Sequence, residues 1–284
     1  MSNIDQFESV FRAASREIYQ YEKASINKVM IVTDLEAEEM LAFETAVKKF
    51  IKVLGAGVVW ETISGDDSKR PDVVLKTIEE SQVDLVVTYR NLHSDYSSQI
   101  YSLGTHLDMM SQKASAAVLV MPHPKSAEFT EKILENTNHV MAITDHLNGD
   151  CRLVNMAACF TASGGVLRLS HVEDEKSFEH VMTALSQIPE IDTDKARELI
   201  SHRLLKDPTD YIATCTVTLA EAGVHLTVEQ VVQFGCHLSV YRQVIEEHQV
   251  DLLVMHAKDE DQMAMHGLAY PLAVEFRHVP LLML

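Results

Sequence analysis

"IEESQVDLVV" at 78–87 and "IEEHQVDLLV" at 245–254 agree at eight of ten positions, at an offset of 167 residues. Each reads as the end of an amphipathic helix, a polar turn and an apolar run long enough for a buried strand. A second pair precedes them: "NKVMIVTD" (27–34) and "NHVMAITD" (138–145) agree at five of eight positions, at an offset of 111. Both are apolar runs ending in Thr-Asp, which fits a buried strand followed by a helix N-cap or a ligand-facing carboxylate. A looser third pair, "AAVLVM" (116–121) and "VPLLML" (279–284), closes each half at an offset of 163. The order is kept, and offsets of 111 and 167 place 56 extra residues between the first and second matches of the later half. The chain reads as a duplicated α/β unit with unequal copies.

Working outward, the second half gives a strand "HVMAIT" and then a helix with Leu153, Met156, Ala157 and Phe160 on one face, stopped by Gly164-Gly165. A strand follows at 166–172, and then a long helical region at about 176–222, broken near Pro189 and Pro208 and ended by Gly223. The stretch "VHLTVEQVVQ", helix 237–248, strand 250–255, a helix near 267–277 and the closing strand complete it. The first half gives a strand from 27, helix 36–54, strand 57–64, helix 71–81, strand 83–88, helix 100–113 and strand 116–121, one strand-helix unit fewer. Strands alternating with helices imply right-handed crossovers and a parallel sheet covered on both faces. The expected division is an N-terminal amphipathic helix in 1–26, a shortened first domain at 27–122, a linker at 123–137 and a second domain at 138–284. Ile4, Phe7, Phe11, Ala14, Ile18 and Tyr21 form the stripe of that helix over 4–25. The stripe is expected to cover sheet surface left bare by the missing unit; the alternative is a homodimer seam.

Composition bounds the function. The chain has 284 residues, 46% hydrophobic and 23% charged, as in a globular protein. Its 42 acidic and 24 basic residues give a formal net charge of −18, which repels nucleic acid and anionic membrane surfaces. The opening MSNIDQFESVFR has neither the basic nor the apolar region of a secretory signal, and no apolar run approaches bilayer-spanning length. Cys151, Cys159, Cys215 and Cys236 show no CxxC spacing, so reduced thiols in a cytoplasmic protein are expected.

The stretch "VMAITDHLNGDCRLVNMAACFTASGGVLRLSHVED" resembles the opening of a universal stress protein domain: strand, Asp, amphipathic helix, and a strand ending His-Val-acidic. "EAGVHLTVEQVVQFG", "VIEEHQVDLLVMHA" and "LAVEFRHVPLLML" are similar to the family's later strands and helices, so the resemblance covers 138–284. Over 27–122 it rests on "KVMIVTD", "IEESQVDLVV" and "AAVLVMP". It implies a tandem protein of two flavodoxin-like (adenine nucleotide alpha hydrolase-like) doubly wound domains, the first reduced. It also implies that the closing strands pair antiparallel, as an intramolecular pseudo-dimer with Val118 and Leu282 buried at the seam, and that ligand pockets lie at the carboxyl ends of the strands. The implied pocket residues are Asp145, His146, Val172, His256 and Asp259 in the second half and Asp34 in the first.

ATP-binding members of that family carry Gly-x2-Gly-x9-Gly-Ser/Thr after the fourth strand, where glycines let backbone N–H groups approach phosphate. The matching positions here are His256, Asp259, Ala269 and Tyr270, and in the first half Tyr89, Leu92, Ser102 and Leu103. Gly104-Thr105 stands two residues downstream of the last of these. Asp259, Glu260 and Asp261 add negative charge where a triphosphate would sit. The cofactor expectation is therefore none, with ATP as the alternative. Asp34 and Asp145, which would lie near a nucleoside, are equally readable as N-caps.

The histidines raise a metal reading through Asp145-His146, Cys236-His237, His256 and Asp259, but none of these has diagnostic ligand spacing, so no metal is expected. His171 reads as a hydrogen-bonded core residue and the 13 methionines as core and loop filler. The expected function is a stress-response role through an unidentified protein partner or small ligand, without catalysis. Slow ATP hydrolysis through an altered loop and a metal-dependent enzyme are the alternatives.

Overall fold

The computed structural model describes residues 18–95, 101–127, 129, 134–144, 147, 149–257 and 268–284. The strands are β1 (Lys28–Val32), β2 (Val59–Ile63), β3 (Leu85–Tyr89), β4 (Ala117–Met121), β5 (His139–Ile143), β6 (Val166–Asp174), β7 (Thr227–Gly235), β8 (Leu252–Met255) and β9 (Leu281–Met283). Around them lie α1 (Ala37–Phe50), α2 (Pro71–Ser81), α3 (Thr105–Lys113), α4 (Cys151–Phe160), α5 (Glu175–Leu185), α6 (Thr193–Glu221), α7 (His237–His248) and α8 (Ala269–Glu275). The strands form one nine-stranded sheet in the order β2-β1-β3-β4-β9-β8-β5-β6-β7. Every pairing is parallel except β4 with β9, where Val118, Leu119 and Val120 face Met283, Leu282 and Leu281. Read from its outer edge inward, the first half gives β2-β1-β3-β4 and the second β7-β6-β5-β8-β9, the same order with one more outer strand.

The inner strands are apolar along their whole length because both faces are covered: β3, β4, β8 and β9 are buried throughout. The outer strands β2 and β7 are half-exposed and carry polar residues among the apolar ones. The expected antiparallel seam is present, with Val118 and Leu282 both buried.

The repeated decapeptide has a local cause. Gln82 and Gln249, just past α2 and α7, adopt left-handed backbone at φ 46° and 47°, which ends each helix sharply. Val83 and Val250 then turn inward and are buried. The aspartate after each valine ties the new strand to the first strand of its half. Asp84 Oδ2 accepts from the backbone N–H of Asn27 (2.7 Å) and Lys28 (2.9 Å), and Asp251 Oδ2 from that of His139 (2.8 Å).

Three expectations need correction. The helix over 4–25 has no helical turn in its described part: residues 18–27 run without regular structure, and residues 1–17 lie outside the described residues. Ile18 is 72% exposed, and it is Tyr19, off the expected stripe, that is buried. The Tyr19 hydroxyl donates to Asn155 Oδ1 on α4 (2.6 Å), its ring meets Tyr211 of α6 edge-on, and Cys159 Sγ donates to the Ala24 carbonyl. An extended strap satisfies that hydroxyl where a helical register would not have aimed it. Secondly, Pro208 does not break the helical region; it is buried inside the 29-residue α6, forfeiting one backbone bond while burial of Tyr211, Ile212, Cys215 and Leu219 holds the helix. Thirdly, the N-cap role does not fall to Asp34. Among the described residues the side chains that cap helices are Asp150, Asp174 and Asp192, each accepting from the backbone N–H three residues on.

Among the buried polar groups of the second half is a charged one, Arg168 on β6, 4% exposed. Its guanidinium pairs with Glu229 of β7 (2.8 Å) and donates to His139 Nδ1 (3.4 Å) and His248 Nδ1 (3.2 Å), tying β5, β6, β7 and the end of α7 together. Among the described residues no helix is long and apolar enough to cross a membrane.

Replacing Leu282 by alanine should destabilise the protein by about 2–5 kcal/mol in urea denaturation, as a fully buried leucine at the seam does when truncated. Tyr19→Phe should cost about 1–3 kcal/mol in the same measurement by leaving Asn155 Oδ1 without its donor.

Candidate functional site

Because β4 and β9 run antiparallel, the carboxyl ends of the strands in the two halves lie at opposite edges of the sheet. The sequence-derived pocket residues therefore divide into two sites. Asp34 follows β1, whereas Val172 and His256 belong to β6 and the end of β8. Asp145, His146 and Asp259 lie outside the described residues.

The first site is built around Tyr89, the last residue of β3, which is 0% exposed. Its hydroxyl donates to Asp34 Oδ1, lies 2.8 Å from Thr33 Oγ1 and receives the Asp34 backbone N–H at 3.1 Å. Asp34 Oδ2 accepts the backbone N–H of His93 (2.7 Å), so both carboxylate oxygens have partners. Phe43 of α1 meets the phenol edge-on at 5.2 Å and 84°, and His123, just past β4, meets it at 5.0 Å and 74°. Around this core, Ser68 Oγ bonds the Thr33 carbonyl (2.9 Å) and lies 2.8 Å from His93 Nε2, while His106 Nε2 bonds the Ser68 carbonyl (2.9 Å). Leu92 and Leu103 are buried. Gly104 sits at φ +83° with the position of a Cβ only 2.9 Å from Asn91 Cα, so the chain packs against Asn91 where only glycine fits.

The electrostatics follow from that enclosure. Burial alone would raise the Asp34 carboxyl, but the Tyr89 hydroxyl and the His93 N–H, both donating to it, together hold it below its ordinary value. Burial raises the Tyr89 phenol, and its donation to Asp34 adds to the shift. Burial lowers His123 to about 4, with Asp34 opposing and Lys125 adding to the shift. Burial also lowers His106. At neutral pH the site holds an anion bonded to a phenol between neutral rings.

The second site is described by fewer residues. His256 Nε2 lies 2.8 Å from Asp150 Oδ2, and Asp150 Oδ1 accepts from Leu153 N (3.0 Å), so one carboxylate caps α4 and holds the histidine. Val172 is buried in β6, one strand away from β8 across β5. His171, also buried, bonds Glu173 Oε1 (2.8 Å) as a core histidine does. Ala269 is buried and Tyr270 is 43% exposed at the start of α8. Cys236 is exposed at the N-cap of α7, and His237 Nδ1 is 4.0 Å from Asp174 Oδ2. Among the described residues, no three His, Cys, Asp or Glu side chains are grouped as metal ligands. Sequence reasoning singled out His256 but missed Asp150, and it numbered Tyr89 as a cradle position without seeing it as Asp34's partner. Thr-Asp ending both β1 and its counterpart was the available signal.

The His123 shift makes a testable pH dependence. The unfolded imidazole takes a proton near pH 6.5 and the folded one only near 4. The unfolded state thus binds more protons in that window, and stability falls as pH drops through it, by roughly 2–3 kcal/mol from this group. His123→Asn, which keeps an acceptor for the Lys125 N–H, should flatten the decline between pH 6.5 and 4 in thermal unfolding.

No protein-family model matches the chain, and no curated protein matches it in sequence. Among solved structures it is similar to a candidate universal stress protein from Pseudomonas aeruginosa UCBPP-PA14, with a TM-score of 0.51 and 11% identity over 91% of this chain and 93% of that one. A functionally unknown protein from Pseudomonas aeruginosa PAO1 aligns with a TM-score of 0.48 at 12% identity over 91% and 92% of the two chains. A universal stress protein from Archaeoglobus fulgidus DSM 4304 aligns with a TM-score of 0.44 at 14% identity over 99% and 92%. What is shared with the first of these is the fold, a mostly parallel α/β sheet of universal-stress-protein type.

Proposed function

We propose that the chain is a tandem universal stress protein, with flavodoxin-like domains at 27–122 and 138–284 joined by 123–137, that has no working ATP cradle. It acts in the stress response through a protein partner or a small ligand at the second site. The reading is carried by what occupies the cradle positions. In the first half Tyr89, Leu92 and Leu103 are buried side chains where phosphate would need backbone. In the second half Ala269 is buried, His256 is held by Asp150, and Tyr270 stands where a small hydroxyl would serve. These residues do not fit a triphosphate. The strand order repeated in both halves supports the tandem arrangement, and the similarity in fold to a candidate universal stress protein supports the family. The unpaired cysteines and the net charge of −18 suit a reducing cytoplasm and partners other than nucleic acid or anionic membrane.

Calorimetry with ATP-Mg and with adenosine tests it. ATP should bind no tighter than millimolar, and no better than adenosine, because the costs fall on the phosphates. Micromolar ATP binding that disappears in Asp145→Ala would overturn the reading. Rebuilding the motif with His256→Gly, Asp259→Gly, Ala269→Gly and Tyr270→Ser should raise ATP affinity.

A further inference from the structure

We infer that Tyr89 is a built-in occupant of the first-half site: its phenol fills a ligand-shaped aromatic box, and the carboxylate and hydroxyl at the end of β1 recognise it as they would a bound phenol. The box has the parts of a small-molecule site, a mostly apolar enclosure with a few convergent polar groups. Phe43 and His123 meet the ring edge-on at 5.2 and 5.0 Å. Asp34 and Thr33 converge on a single atom, the hydroxyl. Among the described residues no Lys or Arg is ion-paired with Asp34. Its two oxygens are satisfied by that hydroxyl and by the His93 N–H, which amounts to recognition of a neutral hydroxyl donor. Ligand class follows from this: a para-substituted phenol, with the ring taking the apolar walls and the hydroxyl taking Asp34.

Two consequences separate an occupant from an ordinary core tyrosine. Removing the side chain should leave a cavity that takes the same chemical group back from solution. A core site held only by packing would accept any apolar guest of that size. The walls are contributed by α1, by the turn after β1 and by the segment after β4, and the turn gives one backbone bond to the phenol, from the Asp34 N–H at 3.1 Å, which a phenol from solution would take back. The site is thereby closed to outside ligands, and ligand binding by the chain falls to the second half.

The test uses the full chain carrying Tyr89→Gly, with p-cresol, the tyrosine side chain itself, as the probe and toluene as its counterpart without a hydroxyl. p-Cresol should raise the melting temperature of the variant with concentration, toluene should raise it much less, and neither should shift the wild-type protein. Equal rescue by toluene would overturn the inference, as would a p-cresol shift no larger in the variant than in wild type. Should Tyr89→Gly not fold, Tyr89→Phe keeps the ring and removes only the hydroxyl. Carboxyl NMR should then show Asp34 titrating higher than in wild type, and an unchanged Asp34 titration would overturn the inference. A wild-type chain that binds adenosine in a manner abolished by Asp34→Ala would also overturn it. Micromolar ATP binding that depends on Asp145 would instead strike the proposed function and leave this inference standing.

Discussion

Leu281, Leu282 and Met283 are paired on both sides, parallel to β8 and antiparallel to β4, and this three-residue strand is what makes one sheet of nine strands. Without it β4 and β8 would each present a row of unpaired N–H and C=O groups flanked by buried apolar side chains, a strong association hazard. The strand is held at both ends by further backbone bonds: Leu253 N to the Pro280 carbonyl, Leu284 N to that of Met255, and Ala257 N to that of Leu284. The last of these fixes the residue that follows His256. The antiparallel pairing also sets the functional geometry, since it sends the carboxyl ends of the two halves to opposite edges and makes two sites rather than one.

What was legible in the sequence was what short segments decide by themselves. Apolar runs such as LVVTY and AVLVM read as strands buried on both faces, and the repeated IEE-x-QVDL encodes helix stop, inward valine and strand tie within five residues. The reduced first half followed from counting these units. Over 18–25 the N-terminal stripe misled because periodicity measures the chance of a helix, while tertiary contacts chose an irregular strap for 18–27 that delivers Tyr19 to Asn155, 136 residues away. Pro208 misled for the opposite reason: burial along a long helix outweighed one lost backbone bond.

The candidate site was the least legible part, because its partners are joined by topology. Asp34 and Tyr89 are 55 residues apart and meet only because β1 and β3 are neighbours. Asp150 and His256 are 106 apart and meet because β5 and β8 are. No motif spacing encodes such a pair. A matching of family positions could number Tyr89, but only the register shows that a side chain at that position turns back onto the carboxylate ending the adjacent strand.

The two halves differ in how each stabilises itself, and the difference accounts for which site is filled. In the second half α4, α5 and α6 all begin at an aspartate cap, and a buried arginine links three strands and a helix end. Among the described residues the α-helices of the first half, α1, α2 and α3, have no side-chain caps, and that half contributes one strand fewer to the sheet. A smaller unit buries a smaller fraction of its surface and has less margin for an empty pocket in its core. An aromatic ring in that pocket turns a concave, solvated feature into buried area, at roughly 25 cal/mol per Å² of apolar surface, and its hydroxyl keeps the buried carboxylate bonded. The half that lacks a strand-helix unit is thus the half whose pocket is closed by its own tyrosine. In the wider half the strand end carries a polar pair instead, His256 bonded to Asp150, which also caps α4.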